Sequence, residues 1–225
     1  MQKRLLILVS LLLLVSGCKL DFVGDLYTSD LVDLANSNEL KNINLPMEIS
    51  YQVASCEQAD ETNRMISTYF LEHKNTGCSI GEDFMSYSKA QVSVPVLNDH
   101  EAFKKTNNSL IGFVSYLSED KKYVYVDAAI NSQLYKSLQN YVYNQTFQEI
   151  SLADSNLSVR LNNDLNSAII AIQSSFVNKE PIIFEKQYKL KRRELLIIKT
   201  SNVTTSHLEI NLWTPILTIF NNQSL

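Results

Sequence analysis

The chain has 225 residues, of which 45% are hydrophobic and 20% charged, with a formal net charge of −4. That balance is too apolar for a disordered chain, and the length allows one or two domains, each able to bury a core. Five glycines are too few for a glycine-rich phosphate cradle, and an acidic chain is a poor general binder of nucleic acid.

Lys3 and Arg4 precede an apolar run from Leu5 to Val15 that only Ser10 interrupts. A basic start followed by a short apolar stretch reads as a secretory leader, too short for a comfortable membrane span. Val15-Ser16-Gly17-Cys18 resembles a bacterial lipobox. The resemblance implies cleavage after Gly17, a diacylglycerol and palmitate-type acylation at Cys18, and a membrane anchor, since several acyl chains hold where one does not. Lys19 in place of an aspartate implies outer-membrane sorting, facing the periplasm. Loss of residues 1–17 leaves 18 basic against 24 acidic side chains, a charge of −6.

Cys56 and Cys78 remain in a compartment that oxidises thiols, so they are expected as a disulfide. Its loop of about twenty residues contributes roughly 3 kcal/mol. A metal site of Cys56, His73 and Cys78 is the rival, but the spacing fits no standard zinc pattern and a fourth ligand is missing. No metal and no cofactor are expected.

Residues 19–27 read as a short lead-in. Thr28 or Ser29 then caps a short helix carrying Leu31, Leu34 and Ala35, and a polar loop follows from Asn36 to Asn44. Met47, Ile49, Tyr51 and Val53 alternate along a strand. Ser55 to Gln58 has the form of a capping box, opening a helix whose stripe runs from Thr62 through Tyr69 to His73 and ends near Gly77. Phe84 to Val96 reads as a long strand with a bulge near Lys89, placed at an edge by Pro95. Leu110–Leu117 and Lys122–Asp127 form a hairpin about Ser118 to Lys121, and Asn131 or Ser132 caps a second amphipathic helix.

After about residue 150 the texture becomes short alternating segments: Leu157 to Leu161, Ala168 to Val177, Tyr188-Leu190, Leu195 to Ile198 and Leu208 to Leu212. No convincing helix interrupts them, although Leu165, Ile169, Ile172 and Phe176 also fit a helical stripe. The fold class expected is α+β. It comprises a lipoprotein leader (1–17), an N-terminal mixed sheet with two or three amphipathic helices (18–150), and a C-terminal antiparallel part like a sandwich (151–225).

The body resembles uncharacterised small lipoproteins of enterobacteria, vibrios and their prophages. The resemblance is carried by Cys18 to Asp21, Leu26 to Leu31, Val53 to Cys56, and Leu161-Asn162-Asn163-Asp164. It implies a prophage origin and transfers no activity. Leu26-Tyr27-Thr28 close behind a lipidated cysteine is also similar to lipoproteins of secretion-system rings, from which the chain departs in its cysteine pair and its C-terminus.

Chemistry is sparse. Asp99-His100-Glu101 sets an imidazole between carboxylates, but sequence neighbours point apart, so an exposed loop is expected. No G-x-S-x-G elbow is present. Lys186, Lys189, Lys191, Arg192 and Arg193 form the one basic cluster. They suit an anionic contact such as lipid phosphate, or equally a solvated edge protected by charge. The reading that follows is a non-enzymatic binding or structural protein, held at the membrane by its N-terminal lipid, with an unknown envelope partner and no nucleic acid. The alternatives are a ring-assembly lipoprotein and an envelope hydrolase.

Overall fold

The computed structural model describes residues 19–106, 108–146 and 149–221; the leader and Cys18 lie outside them. The supposed lead-in is a strand. Leu20, Phe22 and Leu26 alternate with Asp21, Val23 and Asp25, and β1 (Leu20–Tyr27) buries the first set. The segment carries a period-two pattern of its own, and that pattern outweighs its position next to the leader. Helix α1 (Thr28–Ala35) follows at once, and β2 (Asn42–Val53) buries Met47, Ile49, Tyr51 and Val53 as expected.

A 3-10 turn at Cys56–Gln58 leads into α2 (Ala59–Ile66). Ser55 makes no capping bond. The helix expected to run to Gly77 stops early, because Ser67 and Thr68 hydroxyls donate back to the carbonyls of Arg64 and Met65, a local bond that competes with the helical ladder. Leu71–Ile80 then forms β3, which pairs with β4 (Ser86–Leu97). The bulge expected near Lys89 lies across from it in β3, where the register shifts between Asn75 and Gly77. Pro95 does not mark an edge. It sits in the gap where β3 stops, opposite Ser93, and β5 takes over at Val96, so its missing N–H breaks no ladder on that side.

Helix α3 (His100–Lys104) is capped by Asp99, whose carboxylate accepts from Ala102 N. The expected hairpin is β5 (Ile111–Leu117) with β6 (Tyr123–Ile130). Asn131 Oδ1 accepts from Gln133 N and Leu134 N and so starts α4 (Ser132–Thr146).

The C-terminal half supplies β7 (Leu157–Asn162), β8 (Ser167–Ile172), β9 (Ser175–Val177), β10 (Glu180–Ile182), β11 (Lys186–Lys191), β12 (Leu195–Thr200) and β13 (Trp213–Phe220). Residues 167–172 and 175–177 are therefore strand, parted by a bend at 173–174. Leu208 to Leu212, expected as strand, belongs instead to helix α5 (Asn202–Asn211). Ser201 caps it by accepting from Thr204 N, Thr204, Thr205 and Leu208 are buried at helical spacing, and Leu212 closes it in a left-handed conformation.

Among the described residues all strands join one 13-stranded sheet in the order β10-β9-β12-β7-β1-β2-β4-β5-β6-β13-β8-β11, with β3 also on β4. The expected α+β class holds, and strands dominate it. The C-terminal strands are largely antiparallel, but they extend the N-terminal sheet instead of facing it as a separate sandwich. β7 lies parallel to β1 and β13 pairs with β6, so the sheet runs across residue 150. Its curvature follows from one connection. Only residues 192–194 separate β11, at one end of the order, from β12, third from the other end. Four peptide steps span at most about 14 Å, so the two ends come together and the sheet is nearly closed. Its core includes Phe22, Leu26, Ile49, Val126, Leu161 and Ile170.

Candidate functional site

Two segments singled out in the sequence meet in space. The parallel register pairs Leu26 with Leu161 and Tyr27 with Asn162. Beyond it, Thr28 Oγ1 donates to Asn163 Oδ1 at 2.8 Å and to Asp164 Oδ1 at 2.9 Å. Asp164 also accepts from the backbone N and the hydroxyl of Ser29. The first turn of α1 is thus capped by a carboxylate 135 residues away, where a local cap at Thr28 or Ser29 was expected. Burial alone would raise the Asp164 pKa, but the Ser29 and Thr28 donors outweigh it and hold the group below the usual carboxylate range. Asp30, next to it, is pushed up by burial and by the charges of Asp164 and Asp33.

Asn163 is 1% exposed and closes the seam of the sheet. Its Nδ2 donates to the carbonyls of Leu190 at 3.2 Å and Lys191 at 2.9 Å, while its backbone bonds Glu194 O and Arg193 N. Along the same pair of strands, Arg160 of β7 grips Asp25 of β1 through two bonds of 3.1 and 2.7 Å. This constellation is a fold staple: its polar groups are turned inward onto other parts of the chain.

A sizeable concavity lies at the other end of β1. A cavity of about 920 Å³ lies between α2 and α4, with Lys19 among its lining residues. Leu20, Tyr51, Met65, Leu138 and Val142 give it apolar walls, and Asp60, Glu61 and Arg64 bring charge to it. Such a volume and mixture suit a small organic ligand or a short peptide. Behind Tyr51 lies a buried polar cluster. Tyr51 OH and Ser88 Oγ both donate to Asn63 Oδ1, at 2.6 and 2.7 Å, and His73 Nε2 stands 3.4 Å from the Tyr51 oxygen. Burial raises the Tyr51 pKa and lowers that of His73. Asn63 Nδ2 has no partner among the described residues.

Cys56 and Cys78 form a disulfide with Cα atoms 5.5 Å apart. It ties the turn before α2 to β3, so it clamps a helical start to the sheet. Among the described residues no group of three or more His, Cys, Asp and Glu is placed to hold a metal ion.

Histidines are less isolated than the sequence suggests. His100 Nε2 lies 3.0 Å from Asp127 Oδ2, which also accepts from Tyr116 OH at 3.1 Å. Asp127 is 1% exposed. Burial first, and then the Asp127 charge, push the Tyr116 pKa above its ordinary value. Trp213 lies edge-on to both His100 and His207, at 5.9 and 6.0 Å between ring centres. The sequence neighbours of His100 are otherwise engaged: Asp99 caps α3 and Glu101 pairs with Lys104. The one sequence hint of this cluster is a charged residue, Asp127, inside an otherwise apolar strand. The dyad has a base and an orienting carboxylate. Among the described residues no hydroxyl or thiol bonds its imidazole.

Lys186, Lys189, Lys191, Arg192 and Arg193 are all exposed, on and just after β11, the terminal strand of the sheet. Lys186 pairs with Glu180 at 3.8 Å. Charge on an unpaired edge is a standard guard against strand addition. None of the five lines the cavity, and the run meets the staple only through the backbone of Lys191 and Arg193.

Fold and site together define a mixed α+β protein dominated by one curled sheet, with a cavity at the end where β1 begins. A family model matches residues 24–223, and the chain belongs to that family, described as Domain of unknown function (DUF7424). A search of curated proteins finds no match.

Proposed function

We propose that the protein is a lipid-anchored envelope protein of the binding type, carried by acyl chains on Cys18 and working through the cavity between α2 and α4. The observation that supports this reading is that Lys19, directly after the lipobox cysteine, lines the cavity. β1 begins at Leu20 and lies in the middle of the sheet, so almost no tether separates a lipid at Cys18 from the folded body. A ligand entering there would be met at the membrane surface. No helix among the described residues is long and apolar enough to cross a membrane.

Palmitate labelling of the full chain, with Cys18→Ser as the comparison, tests the anchor. The label should be present in the parent and lost in the variant, which should leave the membrane fraction. A photo-crosslinking residue at Arg64 in intact envelopes tests the cavity. A discrete adduct should form and should disappear when Ala54→Trp fills the space; an adduct indifferent to the filling would remove the cavity from the reading. Prophage origin and outer-membrane location rest on resemblance, and phage genes beside the coding sequence would support the first. The His100–Asp127 pair keeps a hydrolase as the second reading, to be tested by His100→Gln against any ester or amide turnover found.

A further inference from the structure

Two apolar side chains stand in solvent beside the first described residues. The turn joining β3 to β4 leaves Phe84 91% exposed and Ile80 70% exposed. The turn is firmly built. Phe84 N donates to Gly81 O at 3.0 Å and Gly81 N to Met85 O at 2.8 Å. The Asp83 carboxylate accepts from Met85 N at 3.2 Å and from Tyr87 OH at 2.6 Å. Two residues before Ile80, the Cys56–Cys78 disulfide holds β3 to the body. Phe84 itself has φ 61°, a left-handed conformation that glycine or asparagine adopts far more readily. An aromatic side chain is therefore kept in an unfavourable backbone state, and it is turned away from the protein's own core.

What lies beside this tip is the segment that follows Cys18. Asp83 Oδ2 is 3.8 Å from Lys19 Nζ, and Lys19 is covalently next to Cys18. Acyl chains on Cys18 would bring a bilayer surface to this turn. Glu82 is exposed in the same turn. A negative charge there suits choline or ethanolamine headgroups and opposes an anionic surface.

We propose that the Ile80–Phe84 tip enters a zwitterionic bilayer beside the acylated Cys18, as a second foothold that fixes how the body sits on the membrane. The proposal rests on the lipid-anchor reading above. A lipid at one residue leaves the body free to swivel; a rigid turn that dips its two apolar side chains into the headgroup region removes that freedom and presents the cavity at one height.

The test uses the full-length lipidated chain in phosphatidylcholine–phosphatidylethanolamine vesicles. Phe84→Trp is read against the parent, whose single tryptophan gives the baseline, and Ile80→Trp repeats the measurement at the other tip residue. The added indole should shift to the blue on reconstitution. Bromines high on the acyl chains should quench it more than bromines at their ends, as for a group about 5–10 Å below the headgroups. Anionic lipid should reduce the quenching. If palmitate is present and neither indole shifts or is quenched, the tip stays in water and the inference is overturned while the anchor stands. If palmitate is absent and the chain fractionates as soluble, the anchor fails and the tip falls with it.

Discussion

Asn163→Ala should open the seam of the sheet. The change removes four side-chain hydrogen bonds: from Thr28 Oγ1 and Leu165 N to Oδ1, and from Nδ2 to the carbonyls of Leu190 and Lys191. Each such bond contributes about 0.5–1.5 kcal/mol net, and stranding a buried partner costs about 1–3 kcal/mol more. Two partners have substitutes, because Thr28 keeps Asp164 and Lys191 O keeps Glu194 N. The loss should therefore be about 2–4 kcal/mol, or about 5–15 °C in Tm for a chain of this size. Thermal unfolding followed by circular dichroism reads it, and hydrogen exchange should show β11 and β12 opening first. Asn163→Asp sharpens the test, since it keeps the shape but sets carboxylate oxygens against two carbonyls. It should be worse than alanine at neutral pH. Because the native site raises the new carboxyl's pKa, the damage should shrink as pH falls and a neutral carboxyl can donate again. A Tm within about 2 °C of the parent for Asn163→Ala would refute the idea that this residue holds the ends together.

Asp164→Asn tests the long-range cap through pH. The native carboxyl is held below its ordinary value of 3.8, so its contribution is complete above that pH and fades as pH falls below it. The stability gap between parent and variant should close in acid, and a gap constant from neutral pH down into strong acid would count against the cap. Asp30 runs the other way: its raised pKa makes the charged form unfavourable in the fold, so Asp30→Asn should slightly raise stability at neutral pH and lose that advantage in acid. Cys56→Ser with Cys78→Ser should cost about 3 kcal/mol by loop entropy, with proteolysis appearing first in β3. Asp127→Ala leaves the Tyr116 hydroxyl without its acceptor, at a cost of about 1–3 kcal/mol, and the emission of Trp213 should move as His100 is released.

Elements with a clean period are legible in the amino-acid order alone: β2, the β5–β6 hairpin, α4 with its Asn131 cap, and β7. So is the cysteine pair. Other parts escape for physical reasons. The stripe from Thr62 to His73 is real as a pattern, but pairing with β4 claims its second half. The charged residues at positions 72 and 74 suit an exposed edge strand as well as a helix. α5 is hidden because Thr204 and Thr205 are β-branched and form its buried face with Leu208. The staple has no local signature at all: Thr28 and Asp164 acquire meaning only through the parallel pairing of two strands about 135 residues apart. The cavity and the His100–Asp127 pair also join segments that no local pattern connects.

β1 draws its two neighbours from residues 47–51 and residues 157–162. The first strand in chain order must therefore wait for the seventh before both its sides are satisfied. Folding of this chain should be slow and dominated by distant pairings, completed only once most of the polypeptide is available. A fragment ending near residue 150 would carry two raw edges, at β1 and at β6, and should associate with itself instead of remaining dispersed.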